Sequence, residues 1–137
     1  IEAAILRCGI EQSFETGLAA YEVSAVLAEH QLRLGLTVVV DAVSSLEVAR
    51  DMWRAAAAAS NARMRVVEVT CADESVHRRR LAARRRDIDG FPEPSWDDVC
   101  RRRDEWEPWT EDRLVVDTNR EHDENLAAAL AYLRSPT

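Results

Sequence analysis

Three places in the sequence bring together side chains that do chemistry. Residues 36–41 run Leu36, Thr37, Val38, Val39, Val40 and then Asp41, so a carboxylate closes a β-branched apolar run. In a parallel sheet covered by helices, ligands gather beyond the carboxyl ends of the strands. A carboxylate there suits magnesium, bound directly or through water, and equally suits an ordinary turn cap; both readings stand on the pattern alone. Further on, His77, Arg80 and Arg84 follow each other at threes and fours, which on a helix turning about 100° per residue places them on one face. Two guanidinium groups on one face can clamp a phosphoryl group, because the rigid donor fork of Arg matches phosphate oxygens. The third place is Asp117 with Thr118, again just after an apolar run, and Cys71 with Asp73 stands in the corresponding position after residues 64–70.

Elements of predictable kind must position these groups. Residues 13–34 carry Phe14, Leu18, Tyr21, Ala25, Ala28 and Leu32 at helical spacing and end at Gly35, a helix stop. The run 36–41 then predicts a buried strand, and a helix follows from about Ser45 to Ser60. Residues 64–70 predict a second strand. A helix capped by Asp73 is expected to run to about Asp87, carrying the Arg triplets. After a turn-rich stretch at 87–94, Ser95 with Asp97 and Asp98 opens another helix. Residues 114–117 predict the third strand, and 125–133 lie in the closing helix. The first residues, from Ile1, read as helix without an N-cap ahead of them, as though the sequence opened within an element. Strands alternating with helices predict an α/β fold with parallel strands and right-handed crossovers.

Composition narrows the classes. A formal net charge of -7 opposes general binding to nucleic acid or anionic membrane. Arg101, Arg102 and Arg103 with Trp96, Trp106 and Trp109 resemble a nucleic-acid surface only until the interleaved acids are counted in: Asp97, Asp98, Asp104, Glu105, Glu107, Glu111 and Asp112 cancel the field. The tryptophans are expected to pack the helix and its loop. All eighteen basic residues are Arg, with no Lys. Three cysteines without metal-ligand spacing read as reduced thiols of a cytoplasmic protein, and no zinc site is indicated. His30, His77 and His122 form no nucleophile or metal arrangement, and His77 reads as a fixer of its helix or a proton carrier.

With these residues in place, the chain resembles P-loop small-molecule kinases of the AAA_33-like, zeta-toxin-like group, related to polynucleotide kinase and chloramphenicol phosphotransferase. The resemblance is carried by residues 38–44, by 69–73 with His77, Arg80 and Arg84, by 90–96, and by 107–109 ahead of 115–118. It implies a three-layer fold, a single partial domain over 1–137 with a lid at about 73–105, and ATP and Mg2+ as cofactors. It also implies transfer of the γ-phosphoryl group to a hydroxyl of a small-molecule acceptor. Asp41 would be the magnesium-associated acid and, with Arg80 and Arg84, the catalytic set. Arg80, Arg84, Asp117, Thr118 and Ser44 would contact the nucleotide, the loop after Asp117 lying near adenine; Ser44 stands where many relatives have Asn.

One departure is large. The four glycines, Gly9, Gly17, Gly35 and Gly90, are isolated and there is no Lys, so none of the 137 residues forms the Gly-rich phosphate loop that such enzymes require. The resemblance implies that this loop, the first strand and the general base lie ahead of Ile1, and that the chain alone is inactive. The competing expectation is a non-catalytic nucleotide-binding or interaction module.

Overall fold

The computed structural model describes residues 1–85, 88 and 93–136. They form six helices and two strands in the order α1 (Glu2–Arg7), α2 (Phe14–Arg33), α3 (Glu47–Ala59), β1 (Val66–Thr70), α4 (Glu74–Ala83), α5 (Trp96–Asp104), β2 (Arg113–Asp117) and α6 (His122–Arg134). The chain divides into two compact units, one of residues 1–64 with 86–107 and the other of residues 65–85 with 108–137. The expected lid span is thereby shared, α4 falling in the second unit and α5 in the first.

In the first unit, α2 packs against α3 and α1 against α2. The α2–α3 interface is built on small side chains: Ala20, Ala25 and Ala28 of α2 and Ala49 and Ala56 of α3 are buried. Methyl groups let two helix backbones approach closely, and Ala adds nothing to the entropy cost of ordering the helix. Each end of α2 follows from its sequence. Ser13 accepts a hydrogen bond from the Thr16 amide at 3.2 Å, and Thr16 Oγ1 accepts one from the Ser13 amide at 2.8 Å, a reciprocal capping box. At the other end Gly35 turns to φ +77° and the Leu36 amide reaches back to the Gln31 carbonyl at 3.1 Å, satisfying an orphan acceptor of the last turn.

α3 has no cap from its own N-cap residue, Leu46. Glu107, sixty positions further along, supplies one: its carboxylate accepts from the Glu47 amide, and its own amide donates to the Ser45 carbonyl at 3.0 Å. Arg50 completes this junction and is wholly shielded from solvent, at 0% exposure. Its Nε donates to the Ser44 carbonyl at 2.9 Å, its Nη2 to the Ser45 carbonyl at 3.2 Å and to the Glu107 carbonyl, and its Nη1 to Glu47 at 3.2 Å. The guanidinium carbon lies 5.4 Å from the centre of the Trp106 ring. A buried cation is tolerable only when its donors are met, and here each end of the fork finds oxygen.

The second unit is a two-stranded parallel sheet with α6 against β2. Val66 pairs with Arg113 and Thr70 with Asp117, so both strands end at the same level. Arg113 bonds Glu68 across the pair. Arg65 lies over the Tyr132 ring, 4.9 Å from its centre, and donates to the Ser135 carbonyl at 2.9 Å, which ties the entrance of β1 to the end of α6.

Two expectations need correction. Residues 36–41 are not a strand: among the described residues they join no ladder, and Val39 is 89% exposed. An apolar run becomes a strand only where a neighbour takes up its amide and carbonyl groups, and the described sheet holds β1 and β2 alone. Secondly, α4 ends at Ala83 rather than near 87, and Arg84, at φ -65° and ψ 142°, has left the helix. Extending it would stack Arg80 with Arg84 as like charges one turn apart, with no apolar face beyond Leu81 to offset the repulsion. Asp87 and the motif residues Gly90, Phe91 and Pro92 lie outside the described residues.

Substitution of Arg50 tests the junction. Arg50→Met takes the side-chain donor from the Ser44 and Glu107 carbonyls and leaves the Ser45 carbonyl with the Glu107 amide alone, and Arg50→Lys offers one compact ammonium for a three-way fork; each is expected to cost about 3 kcal/mol or more in urea unfolding. A loss below about 1 kcal/mol for both would show that the junction is dispensable.

Candidate functional site

The residues singled out from the sequence fall into two groups, each within one unit. Asp41 and Ser44 belong to the first, and Arg80, Arg84, Asp117 and Thr118 to the second.

Asp41 is exposed and lines a cavity of about 720 Å³ bounded by the first turns of α2, the segment 40–46, the start of α3 and residues of α5. Tyr21, Trp53 and Arg102 share that lining. Ser44, three residues on, is buried and sits at φ +46°, a left-handed conformation that L side chains other than Asn and Asp seldom take. It is held there from three sides. Its amide donates to the Tyr21 hydroxyl at 2.9 Å, its hydroxyl accepts from the Trp53 indole N–H at 3.2 Å, and its carbonyl accepts from Arg50. The Tyr21 and Trp53 rings lie 5.7 Å apart and tilted by 53°, close to an edge-on pairing. Ser44 therefore fixes the course of the chain leaving Asp41. Neither Tyr21, Trp53 nor Arg50 was legible as its partner, since each lies on a helix remote from or beyond the turn at Ser44.

In the second unit the carboxyl ends of β1 and β2 form a polar cluster. Thr118 donates from both its amide and its hydroxyl to the Thr70 carbonyl, each at 2.9 Å, and Thr70 returns a bond to the Val116 carbonyl at 3.1 Å. Asp117 accepts from the amides of Ala72 at 3.2 Å and Asn119 at 3.0 Å, while its carbonyl accepts from the Asn125 amide group at 2.8 Å. Arg80 reaches across from α4. Its Nη1 donates to the Thr118 hydroxyl at 2.9 Å and its Nη2 to the Thr118 carbonyl at 3.0 Å, a two-pronged grip on the loop after β2. The sequence placed Arg80 and Thr118 in one site by resemblance, and the structure joins them directly. Arg84 is one step outside α4 and does not share the helix face of Arg80.

Asp73 caps α4 as its position implied. Its carboxylate accepts from the Ser75 hydroxyl at 2.6 Å and from the amides of Ser75 and Val76 at 2.8 and 3.1 Å. The Ser75 hydroxyl, followed by the Val76 amide, holds its pKa below the ordinary aspartate value. In α5 Asp98 is depressed likewise, chiefly by the Ser95 hydroxyl and then the Ser95 amide.

No group of three or more His, Cys, Asp or Glu side chains among the described residues is arranged to hold a metal ion. Magnesium does not require one. It takes one or two protein carboxylates and fills its octahedron with water and phosphate oxygens, so a single exposed Asp41 fits that demand. The phosphate cradle is a different matter, since no Gly-rich turn or Lys is present to build it.

The geometry is that of an α/β domain whose polar clusters follow its chain where strands end or are expected to end. The profile of the AAA_33 family, described as an AAA domain, matches residues 7–106, and the chain belongs to that family. The family falls in the P-loop NTPase-like superfamily, whose members generally bind nucleotide and Mg2+. No curated protein and no solved structure matches the chain. Among the described residues no helix is long and apolar enough to cross a membrane.

Two measurements check the second-unit cluster. Because the folded pKa of Asp73 is depressed, the stability its cap contributes is fully present above the unfolded-state pKa and is lost as pH falls through the folded one. The amide resonances of Ser75 and Val76 are therefore expected to titrate together, at a midpoint below that of an unperturbed aspartate, and Asp73→Asn should abolish the step while keeping α4 capped. For the Arg80 grip, a double-mutant cycle of Arg80→Ala with Thr118→Val should show a coupling of only some tenths to about 1 kcal/mol, since the pair is solvent-exposed. Zero coupling would mean that the two groups act independently.

Proposed function

We propose that the chain forms part of an ATP-dependent phosphotransferase that moves the γ-phosphoryl group of ATP to a hydroxyl of a small molecule, with the phosphate loop supplied by polypeptide outside the 137 residues. The observation that carries this reading is Asp41: an exposed carboxylate on the wall of a ligand-sized cavity, within the segment matched by a P-loop NTPase-like family. Bound magnesium would neutralise charge on the nucleotide phosphates and orient them, and Asp41 is the group suited to hold it. Ser44, locked by Tyr21, Trp53 and Arg50, keeps the backbone after Asp41 from shifting when that ion arrives.

Arg80 and Arg84 play separate parts in this proposal. Arg80, through its grip on Thr118, positions the loop after β2 for the base of the nucleotide. Arg84, released from α4 and exposed, has the reach to meet phosphate. Both belong to the second unit. The competing reading, a nucleotide-binding or interaction module without catalysis, draws on the absence of Lys and of a Gly-rich turn.

The two readings diverge in one experiment. A longer polypeptide carrying a phosphate loop ahead of Ile1 is expected to phosphorylate an alcohol acceptor, and Asp41→Asn in it to lose roughly 100-fold or more in kcat with its folded state intact. The 15.5 kDa chain by itself is expected to show no turnover. Turnover by that chain alone, or full activity in Asp41→Asn, would overturn the proposal.

A further inference from the structure

The stretch that carries Asp41 is tied to the rest of the first unit at its ends. Among the described residues, Thr37 to Val43 make no hydrogen bond. The anchor on one side is the Leu36 amide on the Gln31 carbonyl, and on the other it is Ser44. Asp41, Ala42 and Val43 are exposed, whereas Ser44 is buried. The nearer anchor, three residues from the carboxylate, therefore sets where Asp41 stands.

Three bonds hold Ser44, and they act on different parts of it. Arg50 donates to its carbonyl at 2.9 Å and the Trp53 indole N–H to its hydroxyl at 3.2 Å. Neither bears on the peptide group between Val43 and Ser44. The Tyr21 hydroxyl does, because it accepts the Ser44 amide at 2.9 Å. That peptide is where the strain lies. At φ +46° Ser44 occupies the left-handed region, which disfavours an L side chain, and a flip of the Val43–Ser44 peptide plane returns it to negative φ with its carbonyl still on Arg50. After such a flip the amide points away from Tyr21, and the chain on the Asp41 side takes a different course.

We infer that Tyr21 is a positioning residue for the magnesium-associated carboxylate: its phenolic oxygen latches the Val43–Ser44 peptide in the strained orientation that places Asp41 on the cavity wall. The inference rests on the part of the proposed function that gives Asp41 to magnesium, and it is independent of which molecule accepts the phosphoryl group. Tyr21 acts through the backbone. Its ring lies in the cavity wall and 5.7 Å from the Trp53 ring, so removal of the hydroxyl alone leaves that packing in place.

The test uses the full-length polypeptide that contains these residues, with Mn2+ alone as a paramagnetic probe of the magnesium position. In 15N–1H spectra Mn2+ is expected to broaden the amides of Asp41, Ala42 and Val43 saturably, and Asp41→Asn to remove that broadening. Tyr21→Phe, with its circular dichroism spectrum unchanged, should need about five- to tenfold more Mn2+ for equal broadening, the shift set by one hydrogen bond lost from a strained residue. The Mg2+ concentration for half-maximal turnover should rise by the same factor, while kcat at saturating Mg2+ stays within about twofold. In a Ser44→Gly background, where both signs of φ are open, the effect of Tyr21→Phe on Mn2+ affinity should shrink to about twofold or less. A hydroxyl that only stabilised the fold would leave Mn2+ affinity unchanged. Equal broadening in Tyr21→Phe, or a loss that persists undiminished in the Ser44→Gly background, would overturn the inference. Broadening that survives Asp41→Asn would overturn it together with the magnesium role of Asp41. Metal binding that follows Tyr21 as expected, in a polypeptide that transfers no phosphate, would retire the phosphotransferase reading and support the latch.

Discussion

The first unit depends on a buried guanidinium. Arg50 has no access to water, so its charge is tolerable only while the carbonyls of Ser44, Ser45 and Glu107 and the Glu47 carboxylate surround it. Those acceptors come from two stretches that are remote in sequence: residues 44–47, which run from behind Asp41 into the first turn of α3, and Glu107, beyond the end of α5. No regular ladder holds these stretches together. The fork does so by geometry, with Trp106 covering its face. The course of the backbone between Asp41 and α3 is thus set by an ion whose alternative, desolvation without partners, is far more costly than the bonds it makes are favourable.

Ser44 shows how that constraint reaches the site. A serine at φ +46° is strained, and strain persists only where surroundings over-determine it. Here the hydroxyl, amide and carbonyl of one residue are each claimed by a different side chain from α2 or α3. Relatives with Asn at this position would adopt the same left-handed turn at lower cost, since Asn is tolerant of it. The position thus has a backbone role in addition to the ligand contact that the resemblance implies. In the second unit the corresponding device is Arg80, whose two bonds to Thr118 tie a helix to the loop that leaves the sheet.

Local signals were legible and non-local ones were not. Ser13, Asp73 and Ser95 announce helix starts because capping is settled within four residues, and Gly35 announces a stop for the same reason. The runs that became β1 and β2 were legible because each finds the other as its partner. Residues 36–41 carry an equally strong strand pattern and have no such partner in the described sheet, a fact that no local pattern encodes. Helical periodicity alone extends α4 past Ala83, whereas the repulsion between Arg80 and Arg84 one turn apart opposes the extension. Asp41, Arg80 and Thr118 could be picked out because their residue types and spacing carry meaning in a parallel α/β fold. Arg50 could not: among Glu47, Asp51 and Arg54 it reads as one more solvated charge, and only the packing of α3 shows that it faces inward.

The alanine-built contact between α2 and α3 has a thermodynamic consequence. Methyl groups remove little apolar surface from water, and among the described residues the buried apolar side chains are five alanines and Val116. The heat-capacity change on unfolding scales with the apolar area exposed, so it should be small for a chain of this length, and the stability curve correspondingly flat. Such a domain gains little from the hydrophobic effect at any temperature and loses little of it on cooling. The buried polar junction at Arg50 then carries a correspondingly larger share of the order of the first unit.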